Sequence, residues 1–182
     1  MKGETQTMKA EGRRTVHAKG NPLTLIGREV RPGDKAPTDV QVIKPDMTPF
    51  NLKEDAGKPR LYSVVPSLDT SVCNKQTVTF NKLLGEMDGP VTAYAVSVDI
   101  PHAQKRFAEH YKVDNMKLVS DYREVQFGEN YGMLIKELRM LTRGVVVVDK
   151  NDTIAYMEIV PDTVNEPNYD RAIAALKDVL KK

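Results

Sequence analysis

Gly144–Asp149 reads "GVVVVD", and its four consecutive valines leave no position for a solvent-facing side chain. Side chains alternate between the two faces of a strand, so an all-valine strand has to be covered on both. The chain therefore needs a central strand inside a sheet with layers packed above and below. "DKNDT" then turns the backbone, and "IAYMEIV" returns as a strand antiparallel to the first. Upstream, "DVQVI" (Asp39–Ile43), "RLYSVV" (Arg60–Val65), "VTAYAVSV" (Val91–Val98) and "KLVSD" read as further strands. Between them, Phe80, Leu83, Leu84 and Met87 fall at the i, i+3, i+4, i+7 spacing of one helical face. "DIPHAQKRFAEHY" enters a helix through Asp-Ile-Pro, and "REVQFGENYG" is short and helical or irregular. From Tyr169 an amphipathic helix turns Ile173, Leu176 and Leu180 inward. "TVHAKGNPLTLIG" predicts a β-hairpin around Gly20-Asn21-Pro22. The order predicts an α/β fold, a mixed sheet flanked by helices, in one domain over residues 14–182 behind a flexible arm at 1–13.

The 182 residues carry 27 basic and 25 acidic side chains, dispersed along the chain. That balance argues against a nucleic-acid or membrane surface. No apolar run approaches bilayer length, and "MKGETQTMKAEGRR" lacks the apolar stretch of a secretory signal. A single cysteine gives no internal disulfide, which suits a reducing compartment and predicts a cytoplasmic protein. His17, His102 and His110 have no metal-ligand spacing, and neither a P-loop nor a Gly-x-Gly-x-x-Gly is present, so neither a metal nor a bound cofactor is expected.

The lone thiol, Cys73, stands where the strand ending at Pro66 gives way to the helix carrying Phe80. With Thr70 as N-cap, its hydroxyl would accept from an orphan N–H and Cys73 would be the third residue of the first turn. The helix dipole there favours negative charge and draws a thiol below its usual pKa of roughly 8.5. Position alone leaves two readings open, a reactive thiolate or an inert buried thiol. Asp69 and Asp99 read as neighbours of this site or as turn and capping residues.

"PSLDTSVC" matches the Pro-x-x-x-Thr-x-x-Cys pattern of the peroxiredoxins, at Pro66, Thr70 and Cys73, and resembles their thiol peroxidase subgroup most. "GNPLTL", "RPGDKAP", "DIPHAQKRF", "SDYREVQFGENYG" and "EPNYDRAIAAL" follow that subgroup in the same order, from about Val16 to the C-terminus. The resemblance implies a thioredoxin-like fold with an N-terminal β-hairpin extension, usually a homodimer. It implies reduction of hydrogen peroxide and organic hydroperoxides through a Cys73 sulfenic acid, with Pro66 shielding the sulfur. It also places the family's arginine on Arg143, where a permanent cation would favour thiolate and donate to the peroxide. Without the resemblance, Arg143 reads more readily as a charged residue punctuating the valine strand.

The subgroup's resolving cysteine is missing, since "AQKRFA" puts Ala108 in its place. An intramolecular disulfide is impossible, and an external thiol such as thioredoxin must reduce the sulfenic acid. His102 replaces the subgroup's usual phenylalanine and reads as an exposed helix-start residue, or else as a less apolar lining of the substrate entrance. The competing expectation is a peroxide-sensing or redox-silent interaction protein of the same fold.

Overall fold

The computed structural model describes residues 14–89 and 91–182, with Cys73 through its backbone alone. The arm expected at 1–13 lies outside the described residues. Strands β1 (Thr15–Ala18) and β2 (Asn21–Ile26) form the N-terminal hairpin. Its turn sits one step earlier than the Gly20-Asn21-Pro22 expected. Lys19 and Gly20 both take positive φ, 51° and 80°, and Pro22 lies within β2 opposite His17. Two positive φ values make the tight turn whose twist matches that of the flanking strands.

The remaining elements follow as β3 (Gln41–Ile43), β4 (Pro49–Asn51), a 3₁₀ turn (Leu52–Asp55), β5 (Arg60–Val64), α1 (Ser71–Gly85), β6 (Thr92–Ser97), α2 (Pro101–Tyr111), β7 (Lys117–Ser120), α3 (Gln126–Tyr131), β8 (Leu134–Ile135), β9 (Met140–Leu141), β10 (Gly144–Val148), β11 (Ile154–Ile159) and α4 (Tyr169–Lys181). Seven strands order as β11-β10-β5-β6-β7-β3-β4, while β1-β2-β8-β9 form a second sheet of four. The pairs β5–β6 and β6–β7 are parallel, and the others in the large sheet are antiparallel, so the sheet is mixed as expected.

The four-valine strand shows why both faces had to be covered. Val145 and Val147 pack with Leu61, Phe80, Leu84, Phe107, Ile173 and Leu176. Val146 and Val148 pack on the opposite face with Tyr62, Tyr94, Phe127, Tyr131 and Met133. All four are fully buried, each burial worth about 2 kcal/mol. Thus α1, α2 and α4 cover one face, and α3 with residues 133–141 covers the other. A smaller cluster of Val16, Leu25 and Ile135 seats the hairpin.

One expected core residue is displaced. In α4 the buried set is Ala172, Ile173, Leu176 and Val179, while Leu180 is exposed. The inward stripe follows 172, 176 and 179, which rotates Leu180 off the sheet. β4, β8 and β9, of two or three residues each, are too short to show a period and were not foreseen. Among the described residues no helix is long and apolar enough to cross a membrane.

Candidate active site

Parallel pairing of β5 with β6 brings their carboxyl ends to one rim, where an open α/β sheet gathers functional loops. Val65 makes the last ladder bond, its N–H donating to the Val96 carbonyl at 3.1 Å. Pro66 follows, buried and without an N–H, and so ends the strand. A tight turn then closes on the Ser67 carbonyl, which accepts from the Thr70 N–H at 3.4 Å and the Thr70 hydroxyl at 3.2 Å.

Thr70 does occupy the N-cap of α1, with extended backbone at φ −93° and ψ 150°. The expected capping bond is absent: the Thr70 hydroxyl turns back to donate to the Ser67 carbonyl, and its oxygen accepts no helix N–H. Cys73 is the third helical residue, as the sequence predicted. Neither a capping side chain nor an acidic residue in the first turn answers the positive end of α1. The partial charge of those amides remains available to an anion.

Arg143 comes to this rim from the other side of β5. It immediately precedes Gly144, which pairs with Val64. The side chain is only 2% exposed. Its Nε donates to the Thr163 carbonyl at 2.8 Å and its Nη1 to Gln76 Oε1 at 2.9 Å. Gln76 lies three residues after Cys73, one helical turn along α1, and is fully buried. Its Nε2 donates to Ser63 Oγ at 2.9 Å, and more weakly to the Val64 and Gly144 carbonyls at 3.3 and 3.4 Å. One amide therefore ties the thiol helix, the strand before it and the strand after Arg143.

The loop behind Arg143 is anchored by the hairpin. The Thr163 N–H donates to the His17 carbonyl at 2.8 Å. Asp162 accepts from the amides of Lys19 and Gly20 at 3.2 and 3.0 Å. On the same side, Lys75 pairs with Glu166 at 3.1 Å, and the Tyr169 hydroxyl donates to Glu166 at 2.7 Å. The Tyr169 bond first, then Lys75, holds the Glu166 carboxyl below its ordinary range.

Pro66, Thr70, the Cys73 backbone and Arg143 thus converge on one end of the sheet. His102 is exposed in the first turn of α2. Ala108 is partly buried and lines an apolar cavity of about 440 Å³ with Phe50, Val113, Met116 and Leu118.

Sequence reasoning missed one residue of this region. Gln76 extends the buried stripe of Phe80 and Leu84 back by one turn, so a polar residue at a core position was the signal. Asp99, a neighbour of the site or a turn and capping residue on the sequence reading, gathers three donors just ahead of α2, two of them from the turn after Pro66.

Comparison with known proteins shows the family and the fold. The Redoxin family model matches residues 31–173. The chain is 47% identical over 166 residues to a thiol peroxidase of Halalkalibacterium halodurans, covering 91% of this chain and 99% of the relative. It is 42% identical over 163 residues to the thiol peroxidase of Bacillus subtilis, covering 90% and 96%. Among solved structures, a peroxiredoxin-like protein from Aquifex aeolicus superposes with a TM-score of 0.83 at 38% identity, covering 91% and 97% of the two chains.

Proposed function

The chain belongs to the Redoxin family, and we propose that it is a thiol-dependent peroxidase whose chemistry is carried by Cys73. The observation that carries this reading is the Arg143 guanidinium, buried and hydrogen-bonded to Gln76 one helical turn from Cys73. A cation fixed beside the open positive end of a helix is the setting that keeps a thiol ionised near neutrality.

The Cys73 thiolate attacks the terminal oxygen of a hydroperoxide. An S–O bond forms as the O–O bond breaks, and the electron pair leaves on the distal oxygen. Arg143 and the first amides of α1 stabilise that charge, and the oxygen departs as water or an alcohol once protonated. Thr70, whose hydroxyl proton is given to Ser67, keeps oxygen lone pairs to accept the hydroperoxide O–H. Pro66 forms a wall that limits water at the sulfur. Cys73 is left as a sulfenic acid.

Ala108 supplies no thiol, and Cys73 is the chain's single cysteine. An external thiol then attacks the sulfenic sulfur, releases water and forms a mixed disulfide. A second thiol displaces Cys73 and restores it. A thioredoxin-type dithiol in the cytoplasm fits both steps, and we assign the working form as a homodimer on the resemblance to the subgroup.

The test is peroxide consumption with dithiothreitol or thioredoxin as reductant, run beside mass spectrometry after stoichiometric peroxide. The expected result is many turnovers for the wild type, none for Cys73→Ser, and one added oxygen on Cys73. A Cys73→Ser chain that consumes peroxide equally well overturns the reading. A single oxidation with every reductant tried would instead establish the peroxide sensor.

A further inference from the structure

One carboxylate outside the Pro66–Cys73 motif holds the thiol-bearing turn in place, and we infer that Asp99 is a positioning residue for the reaction at Cys73. The inference rests on the peroxidase reading and deepens it. Asp99 lies just beyond β6, in the short link to α2. Its Oδ1 accepts from Ser67 Oγ at 2.8 Å. Its Oδ2 accepts from the Leu68 N–H at 2.8 Å and from Ser97 Oγ at 2.6 Å. Two of these three donors belong to the turn between Pro66 and Thr70, so the carboxylate grips the backbone that sets the start of α1.

The direction of each bond is fixed by its neighbours. Ser67 Oγ accepts from the Asp69 N–H at 3.2 Å, which leaves its proton for Asp99. Ser97 Oγ accepts from Gln104 Nε2 at 3.1 Å and from the Asp99 N–H at 3.3 Å, so its proton also goes to Asp99. Gln104 is fully buried in α2 and donates again to the Val119 carbonyl at 2.9 Å. The Asp99 carbonyl accepts from Ser120 Oγ at 2.5 Å. The thiol turn is therefore tied through one acid to the ends of β6 and β7 and to the body of α2.

An ionised carboxylate offers acceptors only, which is what three converging donors require. An amide in its place has one acceptor and one donor group, so one oxygen position would face its donor with an N–H. The turn would then lose part of its grip while the core beneath stayed covered. Attack on a peroxide demands alignment of sulfur with both oxygens and with the stabilising donors, and a displacement of about 1 Å costs up to 10²-fold. Alkylation by iodoacetamide makes no use of those oriented donors.

The experiment compares wild type, Asp99→Asn and Ser67→Ala in stopped-flow oxidation by hydrogen peroxide. Iodoacetamide labelling is followed across pH to its plateau, and melting temperatures are taken alongside. The expected result for Asp99→Asn is a fall of about tenfold or more in the peroxide rate constant, with the alkylation plateau within about twofold of wild type. Ser67→Ala, which removes one donor and leaves the acid in place, should show a smaller loss of the same kind and carries the test if Asp99→Asn does not fold. A variant with a lowered melting temperature and both rates unchanged overturns the inference and leaves Asp99 a structural group. Equal falls in both rates overturn it too, since the effect would then lie in the sulfur itself. A wild-type chain inert to peroxide would remove the peroxidase reading and this inference together.

Discussion

Replacing Gln76 by leucine tests the idea that one buried amide sets the place of the arginine. The leucine fills a similar volume, so the change is chiefly the loss of hydrogen bonds. On the Oε1 side, a buried guanidinium loses its 2.9 Å acceptor, a charge-assisted bond worth about 1.5–3 kcal/mol. On the Nε2 side, the 2.9 Å bond to Ser63 is lost, worth about 1 kcal/mol more. The carbonyls of Val64 and Gly144 lose only weak second contacts at 3.3 and 3.4 Å. The sum is about 3 kcal/mol, which for a chain of this length lowers the melting temperature by about 8 °C. The peroxide rate should fall by more than about tenfold, because the guanidinium loses the bond that registers it to α1. Thermal melts followed by circular dichroism, with stopped-flow oxidation on the same samples, read both effects. A melting temperature within 2 °C of wild type, or an unaltered rate, would show that the amide is not what holds Arg143.

Two further outcomes follow from features around the site. Burial lifts the Asp121 carboxyl to about 7 against its bonds from the Phe127 and Gly128 amides. An acid raised in the fold above its unfolded value of about 3.9 binds more protons folded than unfolded between those values, so stability falls as pH rises through that window. Urea unfolding should show wild type losing roughly 2–3 kcal/mol between pH 5 and 8 relative to Asp121→Asn, and parallel curves would refute the assignment. Gly144→Ala should cost at least about 3 kcal/mol, because a Cβ there would meet the Glu158 carbonyl and lie 2.5 Å from Met133 Cε. An alanine variant with an unchanged urea midpoint would show that β11 yields easily.

The covered sheet was legible because its signal is dense: four valines in a row admit one environment, and Val145–Val148 divide between the two core layers. The Pro66–Cys73 order was legible because its parts lie within one turn and one helix start. What escaped was carried by few residues or by distant ones. Leu134–Ile135 and Met140–Leu141 are pairs, and a pair has no period. Val179 and Leu180 both continue an i+3 or i+4 stripe from Leu176, and only the tilt of α4 on the sheet chooses between them. The side chain of Thr70 matched a capping residue by type, yet its hydroxyl turns back onto the Ser67 carbonyl and its oxygen takes no helix N–H. Gln76 is one polar residue among others in "NKQT", and its partner Arg143 comes to it from just ahead of β10, 67 residues away.

The hairpin is more than a lid on the end of the core. Its turn amides rest on Asp162, its His17 carbonyl holds Thr163, and Thr163 in turn receives the arginine. Evolution therefore cannot exchange that appendage as a free cassette. Any lineage that reshapes its tip must refit the stretch at 161–163 in step, and substitution histories at the two places should be correlated although nearly the whole chain lies between them.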